Sequence, residues 1–463
     1  MKSVAFLLAD GVGIRNYLYS DVLKELIAKG VEPILLHDLS DEAIEEIEKH
    51  HHYKFISHKI PQHKETVQQK FLRELISLAR IKFNIKLTNN DSLINNWKPI
   101  KKNLFQKLFY FVLELISFLA FKKYASILLL EKWYENSFSD DAYGQLLKDL
   151  KVDVIFNTHQ RVLKAAPIIA SARRNNIKTI GAIFSWDNIP KAKLTVRTDL
   201  YVVWSEHMKE EMKLFYPEIA QEKIIITGTP QFEFYANKEL LQSKEEFCNQ
   251  FALDASKKII CYSGDDTRTS PYDPDYLYDL ASSIHQLPED KQAQVLLRRC
   301  PVDLTGRFDS IVKKYPKIIK VADPLWNFDK NNKQNWTLVY PKFEDVALLI
   351  NTVQHCDVVI NVGSTMAHDF AMYQKPAIYI NYDVPHAKNW SVDTIYKFQH
   401  FRSMGDLQPV FWLKNKETII EILNSAFICN KNSKEIIDGQ KWLETISNER
   451  ENASRNITNL LLQ

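Results

Sequence analysis

The stretch CDVVINVGSTMAHDFAMYQKPAIYINYD, residues 356–383, decides the fold class. Asp357 to Val362 is a short apolar run rich in β-branched residues, which is typical of a parallel strand covered on both faces. Small and hydroxyl-bearing residues follow at positions 363–365, where a helix is predicted to begin. A second apolar run, Ala377 to Ile380, comes after that helix. The segment therefore predicts a βαβ unit.

The turn between this strand and this helix is a predicted anion site. A helix N-terminus presents unpaired N–H groups and the positive end of its dipole, and an exposed anion there gains roughly 0.3–1 kcal/mol. Gly363, Ser364 and Thr365 are positioned to hold phosphate, and Asp369 in the first turns of the helix is positioned to accept hydrogen bonds from sugar hydroxyls. In the plainer alternative this is an ordinary βαβ unit without a ligand.

Composition narrows the class of protein. A chain of 463 residues with 45% apolar and 25% charged residues is expected to be globular and to form two domains. A net charge of +3 does not indicate nucleic-acid binding. The five cysteines show no paired spacing, which favours a reducing, cytoplasmic compartment over a disulfide framework or a zinc site. The apolar run at residues 4–9 stops at Asp10, too early for a signal peptide.

Strands and helices alternate along the chain, which predicts an α/β protein with parallel sheets. The first domain is placed at residues 1–235, the second at 236–430, and a helical tail at 431–463. The second domain is predicted to contain strands at residues 259–263, 294–298, 318–321, 337–340, 357–361 and 377–380. Ligands of such sheets bind beyond the carboxyl ends of the strands.

A basic and apolar insertion, at about residues 61–135, interrupts the first domain. Between Pro61 and Lys107 there are ten Lys or Arg residues and three Asp or Glu residues, and Leu108 to Phe121 is almost wholly apolar. A transmembrane helix needs about 20 apolar residues, so this stretch is too short to span a bilayer. Two interpretations stay open: a core helix of the first domain, or a helix that lies on anionic lipid with its basic flanks at the headgroups.

Three further features of the second domain follow strand ends. Ser263 and Gly264 permit close backbone approach to a ligand, although a simple loop is the alternative. Arg298 ends the next buried strand and is suited to bidentate phosphate binding or to an ion pair. Phe343 would form an apolar wall beside a nucleotide base, or else a helix staple. One crevice at the sheet edge would collect all of these residues.

Several motifs of this sequence resemble those of a known family. GSTMAHDFAMYQKP (363–376), LLRRCP (296–301) and VYPKFEDVALLI (339–350) resemble nucleotide-sugar glycosyltransferases of the GT-B fold. FSWDN (184–188), VWSEHMKEEM (203–212) and TGTPQF (227–232) resemble those of the bacterial surface-polysaccharide type. The second domain also looks similar to UDP-N-acetylglucosamine 2-epimerases and CDP-glycerol glycerophosphotransferases, which share that architecture. The resemblance implies two Rossmann-like domains facing a central cleft, with a helical insertion in the first.

The resemblance also implies an activity. Gly363, Ser364 and Thr365 would bind the diphosphate of a sugar donor, preferably UDP-linked, and Asp369 the ribose hydroxyls, where related enzymes often have the longer Glu. No metal or cofactor is expected. The acceptor would be a hydroxyl of a lipid-linked or surface glycan, with the enzyme in the cytoplasm and peripheral contact at the anionic inner face of the membrane.

Alternative functions share the same fold and donor. An epimerase needs acid–base groups around the sugar, and none stands out in the second domain beyond Asp369 and His368. A polyol-phosphate transferase or a non-catalytic glycan- or nucleotide-binding protein are further alternatives. For transfer, the acceptor needs a general base from the first domain. Asp10, His159 and Asp187 follow strand ends there and are the candidates, with capping or loop roles as the alternative.

Overall fold

The computed structural model describes residues 2–9, 11, 13–60, 63–138, 141, 143–195, 197–327 and 339–463. The chain divides into two compact units. The first unit consists of Met1–Pro230, Phe398–His400 and Ser447–Gln463. The second unit consists of Gln231–Lys397 and Phe401–Ile446. Each unit is built around its own parallel sheet.

The described part of the first unit contains a seven-stranded parallel sheet in the order β3-β2-β1-β4-β5-β6-β7. Its strands are β1 (Ser3–Leu8), β2 (Glu32–His37), β3 (Ile56–Lys59), β4 (Val154–Asn157), β5 (Lys178–Ala182), β6 (Leu200–Val203) and β7 (Ile224–Ile226). The predicted parallel arrangement is confirmed. β3 lies at the edge of the sheet and is largely exposed, so it lacks the apolar run that marks a buried strand.

Helices cover this sheet. They are α1 (Asp21–Ala28), α2 (Asp41–His51), α3 (Val67–Thr88), α4 (Leu104–Ala120), α5 (Tyr124–Asn136), α6 (Gly144–Asp149), α7 (Ala165–Arg174) and α8 (Glu206–Phe215). A π-helical turn, Ile14–Leu18, precedes α1. The extended backbone of Ser20 then begins α1, as expected at an N-cap.

The insertion forms a helical layer of α3, α4 and α5. Leu75 on α3 packs against Tyr110 and Leu113 of α4. Ala79 on α3 packs against Ala120 of α4 and Ile127 of α5. A helical insertion in the first domain is therefore confirmed. Within the residues that the structure describes, no helix is long and apolar enough to cross a membrane.

The described part of the second unit contains a six-stranded parallel sheet in the order β10-β9-β8-β13-β14-β15. In chain order its elements are α9 (Lys244–Phe251), β8 (Ile259–Ser263), α10 (Asp273–His285), β9 (Gln294–Arg298), α11 (Asp309–Lys314), β10 (Ile319–Val321), β11 (Trp326–Asn327), β12 (Tyr340–Pro341), α12 (Phe343–His355), β13 (Val358–Asn361), α13 (Met366–Met372), β14 (Ala377–Ile380), α14 (Asp393–Tyr396), β15 (Phe411–Leu413), α15 (Ile419–Phe427) and α16 (Lys434–Ile446).

One predicted strand of this sheet was wrong. Residues 337–340 were expected to join the parallel series, but residues 337 and 338 lie outside the described residues, and β12 pairs antiparallel with β11 in a separate ribbon. Pro341 lacks the N–H that a central strand donates, so a short ribbon suits this segment better. The place at the sheet edge beside β14 belongs to β15, which is too short to give a clear sequence signal.

The C-terminal tail is divided between the units, which differs from the predicted single segment at 431–463. α16 belongs to the second unit, and a last helix, α17 (Ala453–Leu462), belongs to the first. α17 packs against α1. The Lys2 ammonium donates to the carbonyl of Leu462 at 2.7 Å, and the Thr458 hydroxyl donates to the carbonyl of Val22 at 3.5 Å. The boundary between the units falls at Pro230, close to the predicted residue 235.

Candidate functional site

The turn after β13 requires glycine. Gly363 has φ +66°, in the left-handed region that side chains with a Cβ adopt only at a cost. A Cβ at this position would lie 2.9 Å from Phe401 Cζ and 3.1 Å from Ile395 Cγ2. The buried Asn361 closes the turn, since its Oδ1 accepts a hydrogen bond from the Ser364 N–H at 2.8 Å. Backbone conformation and packing therefore fix this turn together.

At the N-terminus of α13, some backbone N–H groups already have hydrogen-bond acceptors within the turn. The Ser364 N–H is bonded to Asn361, and the Ser364 hydroxyl accepts from the Met366 N–H at 3.4 Å. Thr365 is exposed, and its side chain makes no capping hydrogen bond. Because α13 has only seven residues, its dipole is weaker than the sequence argument assumed. The Thr365 hydroxyl is the group at this turn that capping leaves available.

Asp369 lies on α13 and is half-buried. Its Oδ1 accepts a hydrogen bond from the Tyr235 hydroxyl at 2.8 Å. Tyr235 is itself held in place, because the Tyr373 hydroxyl donates to its carbonyl at 3.0 Å and the two rings pack edge to face. The carboxylate that was predicted to bind ribose is thus oriented by a tyrosine of the same unit. His368 is buried and packs on Trp442 with 4.2 Å between ring centroids.

The loop after β8 carries a cluster of carboxyl groups. Ser263 is buried, and Gly264 lies so close to Phe308 that a Cβ would be 3.0 Å from its ring. The next residue, Asp265, has a pKa raised to about 8 by burial and by the charges of Asp273 and Asp266. Burial also raises the pKa of Asp273 to about 6. Asp265 is therefore largely protonated at neutral pH and adds little negative charge to this edge.

Arg298 forms a buried ion pair. Its Nη2 donates to Oδ1 and Oδ2 of Asp345 at 3.0 and 2.9 Å, and both side chains are over nine-tenths buried. Asp345 also accepts from the Leu325 N–H and from Trp326 Nε1 at 2.9 and 2.8 Å. Arg298 Nη1 has no hydrogen-bond partner among the described residues. Since Asp345 neutralises Arg298, the positive charge that this arginine offers to a phosphate is reduced.

The start of α12 lies next to this pair. Phe343, the first residue of the helix, is half-buried, and Lys342 occupies the N-cap position. In the part of the chain that the structure describes, neither Lys342 nor Arg268 in the loop after β8 forms an ion pair. These two cations were missed by the sequence argument, which looked for arginines at strand ends. Phe343 stays a predicted wall for a base.

The structure thus places most predicted residues of the second domain at one edge. β9, β8 and β13 are neighbours in the sheet, and parallel strands end on the same side. Ser263 with Gly264, Arg298 and the turn at Gly363 therefore lie at adjacent strand ends. The contact between Arg298 and Asp345 brings the start of α12 to this edge.

The first unit presents a second polar edge. Asp10 lies outside the described residues. His159, directly after β4, is buried and packs on Phe184 with ring centroids 5.2 Å apart. The loops after β4 and β5 are joined by hydrogen bonds, since Gln160 Oε1 accepts from the Phe184 N–H at 2.9 Å and Arg161 donates to Asn188 at 2.8 Å. His159 and Asp187 therefore follow neighbouring strands.

Asp187 is held in its charged form. It forms an ion pair with Lys191, and His400 lies close enough to affect it. Burial acts to raise the pKa of Asp187, but the charges of Lys191 and His400 outweigh it and lower the pKa well below its usual range. The pKa of His400 is lowered to about 4, mainly by burial. A carboxylate with so low a pKa is a poor proton acceptor, so this geometry reduces the basicity that the predicted role requires.

Glu211 on α8 is a further residue that the sequence did not single out. It is buried, its Oε1 lies 3.8 Å from Nε2 of His207, and its Oε2 has no hydrogen-bond partner among the described residues. Burial and the negative charge of Asp187 raise the pKa of Glu211 to about 8. It lies within the quoted motif VWSEHMKEEM, but a glutamate in a charged helix gives no signal that it will be buried.

Metal binding has no support from the described residues. Among them, no group of three or more His, Cys, Asp or Glu side chains is placed to hold a metal ion. Metal independence, which the resemblance implied, stays a prediction.

The fold is that of solved nucleotide-sugar enzymes. No protein-family model matches the sequence, and no curated protein matches it. The chain is similar in structure to a glycosyltransferase from Rickettsia africae ESF-5, with 12% identity, coverage of 100% of this chain and 99% of that chain, and a TM-score of 0.52. It is also similar to MnaA from S. aureus solved with UDP (11% identity, 99% and 95% coverage, TM-score 0.53) and to the UDP-GlcNAc 2-epimerase from Methanocaldococcus jannaschii (11%, 100% of both chains, 0.52).

These likenesses span both units, and both units contain the parallel sheets expected of Rossmann-like domains. The chain therefore has the GT-B fold, as the motifs predicted. At 10–12% identity the likeness establishes the fold and leaves the reaction to be argued from the residues.

Proposed function

We propose that this protein is a glycosyltransferase that moves a sugar from a nucleoside diphosphate donor, preferably a UDP-sugar, to a hydroxyl of a lipid-linked or surface glycan. The turn at Gly363 is the observation that carries the proposal. Its left-handed backbone packs against Phe401 and Ile395 and leaves Ser364 and Thr365 at the carboxyl edge of a parallel sheet. Ligands of open α/β sheets bind at that edge. The UDP in the S. aureus neighbour supports a uridine nucleotide as the first donor to test.

In the proposed donor complex, Thr365 and the backbone of the turn bind the diphosphate. Asp369, which accepts from the Tyr235 hydroxyl, binds the ribose hydroxyls, and Phe343 packs on the base. Negative charge develops on the departing diphosphate, and preorganised cations stabilise it without a metal. In this proposal Lys342 and Arg268 supply the positive charge that stabilises the diphosphate, since Arg298 is neutralised by Asp345. The protonated Asp265 avoids repelling the diphosphate.

The acceptor hydroxyl needs a proton acceptor, which we assign to the first unit. Asp10, His159 and Asp187 stay candidates from the sequence, and Glu211 joins them. A pKa of about 8 lies near the working pH, which is what general acid–base catalysis requires. Replacing Glu211 with Gln at saturating donor should lower turnover and leave donor affinity unchanged. Normal turnover in this variant would remove Glu211 from the mechanism.

The donor site is tested with a matched pair of threonine variants. Calorimetry on the full chain should detect UDP binding that Thr365→Val weakens by at least about tenfold, because the loss of a hydrogen bond to a charged group costs about 1.5–3 kcal/mol. Thr445→Val, on α16, is the control, since its hydroxyl donates only within its own helix, to the carbonyl of Lys441. Neither variant should change the melting temperature by more than a few degrees. Equal UDP affinity for both variants and the wild type would overturn the site.

The reaction itself is tested by nucleotide release. The purified protein is incubated with UDP-, GDP- and CDP-linked donors, with and without a lipid-linked acceptor. Release that depends on the acceptor supports transfer, and release of CMP from CDP-glycerol supports polyol-phosphate transfer instead. Binding without release or interconversion supports a non-catalytic role.

An epimerase is the second candidate, and Asp265 favours it. In the second domain the sequence offered no acid–base group around the sugar beyond Asp369 and His368, whereas the loop after β8 carries Asp265, a carboxyl with a pKa of about 8. Conversion of the donor sugar without any acceptor, lost in Asp265→Asn, would favour this candidate. In the proposed transferase the same variant keeps most of its turnover.

We also propose that the protein works in the cytoplasm, at the inner face of the membrane. This part of the proposal depends on α4 and not on the donor site.

A further inference from the structure

The outer face of α4 is apolar and exposed. Leu104, Leu108, Phe111, Leu115 and Phe118 recur at the spacing of one helical stripe, and each is more than half exposed. Leu104 is 82% exposed, and further exposed apolar residues of α4 widen the stripe. A helix in contact with water normally carries polar side chains there, so a continuous apolar face marks an interaction surface.

The inward packing of α4 uses a different face. The residues of α4 that pack inward are Tyr110, Leu113, Ser117 and Ala120, which lie on another stripe of the helix. They contact α3 and α5 through the two small clusters described above. The Ser117 hydroxyl also accepts from the Lys82 ammonium at 2.7 Å. The outer stripe is therefore apolar for a reason other than the core.

Lysines surround the outer face. Exposed residues before and within the first turns of α4 include Lys101, Lys102 and Lys107, and the exposed Lys122 and Lys123 follow its end. The Lys122 ammonium lies 4.6 Å from the ring centroid of Phe118, so cationic and apolar groups are in direct contact.

The acidic counterpart of these lysines is small. Glu114 is the acidic residue on α4, and it is paired with Lys101 at 2.9 Å. Glu131 on α5 is engaged by Arg80 and Arg197 and so does not offset the lysines. The α4 surface therefore carries a net positive charge.

We infer that the outer face of α4 binds the surface of an anionic lipid bilayer. An amphipathic helix with an apolar face and flanking lysines lies in the plane of the interface, with its apolar side chains among the upper acyl chains and its ammonium groups on the phosphates. The 17 residues of α4, about 25 Å long, provide one such helix. This inference stands whether or not the protein transfers a sugar.

Charge selects the bilayer over a second copy of the chain. A two-fold symmetric dimer through this face would bring the same lysines of both copies together, and Glu114, the acidic residue of α4, is already paired with Lys101. Anionic headgroups offset them directly. The chemistry of this surface thus fits phosphate-bearing lipid.

The test is vesicle flotation with the full chain and no nucleotide. Wild-type protein should float with vesicles of phosphatidylcholine mixed with phosphatidylglycerol, and much less with phosphatidylcholine alone. The triple variant Leu108→Gln, Phe111→Gln, Leu115→Gln should lose at least about tenfold in apparent affinity, because three large apolar side chains no longer enter the bilayer. Its control is Ile428→Gln, which changes an isoleucine of the second unit that is 80% exposed.

A second variant tests the electrostatic part. Reversing Lys102, Lys107, Lys122 and Lys123 to Glu should weaken binding to the anionic vesicles by about fivefold or more for each lysine. The control Lys291→Glu, Lys313→Glu changes exposed lysines of the second unit and should bind as the wild type does.

Insertion into the bilayer and self-association are checked separately. A Phe111→Trp variant reports insertion through a blue shift of its fluorescence on addition of anionic vesicles. Wild-type protein that does not float with them, or α4 variants that float as well as their controls, would overturn the inference. So would a wild-type dimer that the triple Gln variant converts to a monomer while neither form floats, since α4 would then be a self-association surface.

Discussion

The two sheets end in edges of different electrostatic character. In the second unit, three polar groups at the edge are held by partners of the same unit: Arg298 by Asp345, Ser364 by Asn361, and Asp369 by Tyr235. In the first unit, Glu211 is buried beside the charge of Asp187 and has a raised pKa. The first arrangement is preorganised, as a binding edge should be. The second contains a carboxyl group, Glu211, with a perturbed pKa of the kind that proton transfer requires.

The largest effect is expected from breaking the buried pair of the binding edge. Asp345→Asn leaves the Arg298 guanidinium buried without its counter-charge, which should lower the free energy of unfolding by about 3–5 kcal/mol. Urea unfolding measures this loss. In the double variant Arg298→Met, Asp345→Asn no buried charge remains, so most of the stability should return. A single variant that loses less than about 1 kcal/mol would show that the pair is solvated.

The second prediction separates the two constraints on Gly363. Gly363→Ala places an alanine in the left-handed backbone conformation, which costs about 1–2 kcal/mol of stability. It also creates a close contact between the new Cβ and Phe401. Gly405→Ala is the matched control, because Gly405 has φ +51° but open space around its Cβ position. In thermal unfolding, Gly363→Ala should have a lower melting temperature than Gly405→Ala. Of the two variants, only Gly363→Ala should weaken UDP binding. Equal losses would mean that packing does not constrain this turn.

The third prediction concerns the pH dependence of the first unit. Glu211 has an ordinary pKa of 4.5 when unfolded and about 8 when folded, so the folded state retains a proton that the unfolded state releases. Stability is therefore lost as pH rises from 4.5 towards 8, by up to about 1.4 kcal/mol per pH unit. Glu211→Gln should flatten this slope in urea unfolding.

Asp187 acts in the opposite direction. Its lowered pKa stabilises the fold above its unfolded value of 3.8, and that stability is lost as pH falls towards the folded pKa. Asp187→Asn should also lower the pKa of Glu211, because the neighbouring negative charge is removed. A slope in Asp187→Asn equal to that of the wild type would show that the two carboxyl groups do not interact.

The smallest effect is expected at Tyr235. Tyr235→Phe removes one hydrogen bond to Asp369 and should cost about 1 kcal/mol of stability. If Asp369 binds ribose, Asp369→Asn should weaken UDP binding more than Tyr235→Phe does. Calorimetry at one pH compares the two variants, and the reverse order would place the nucleotide elsewhere.

Much of the fold was readable because buried parallel strands have a strong signature. β8, β9 and β14 were predicted at the residues where the structure has them, since each is a short apolar run that is wholly buried. β3 and β15 were missed because edge strands are short or exposed. The strand predicted at residues 337–340 was placed in the parallel sheet, whereas β12 pairs antiparallel with β11, because pairing direction leaves no mark on two residues.

Sequence alone determined the two α/β units, the glycine turn at residue 363, and the basic and apolar character of the insertion, since each depends on local residue pattern. Tertiary structure decided which charged groups meet. Arg298 and Asp345 are 47 positions apart, and Glu211 and Asp187 lie on different elements. It also decided which face of α4 is left outside the core. Burial and long-range contact set these pKa values and surfaces, and neither can be read from the neighbours of a residue in the chain.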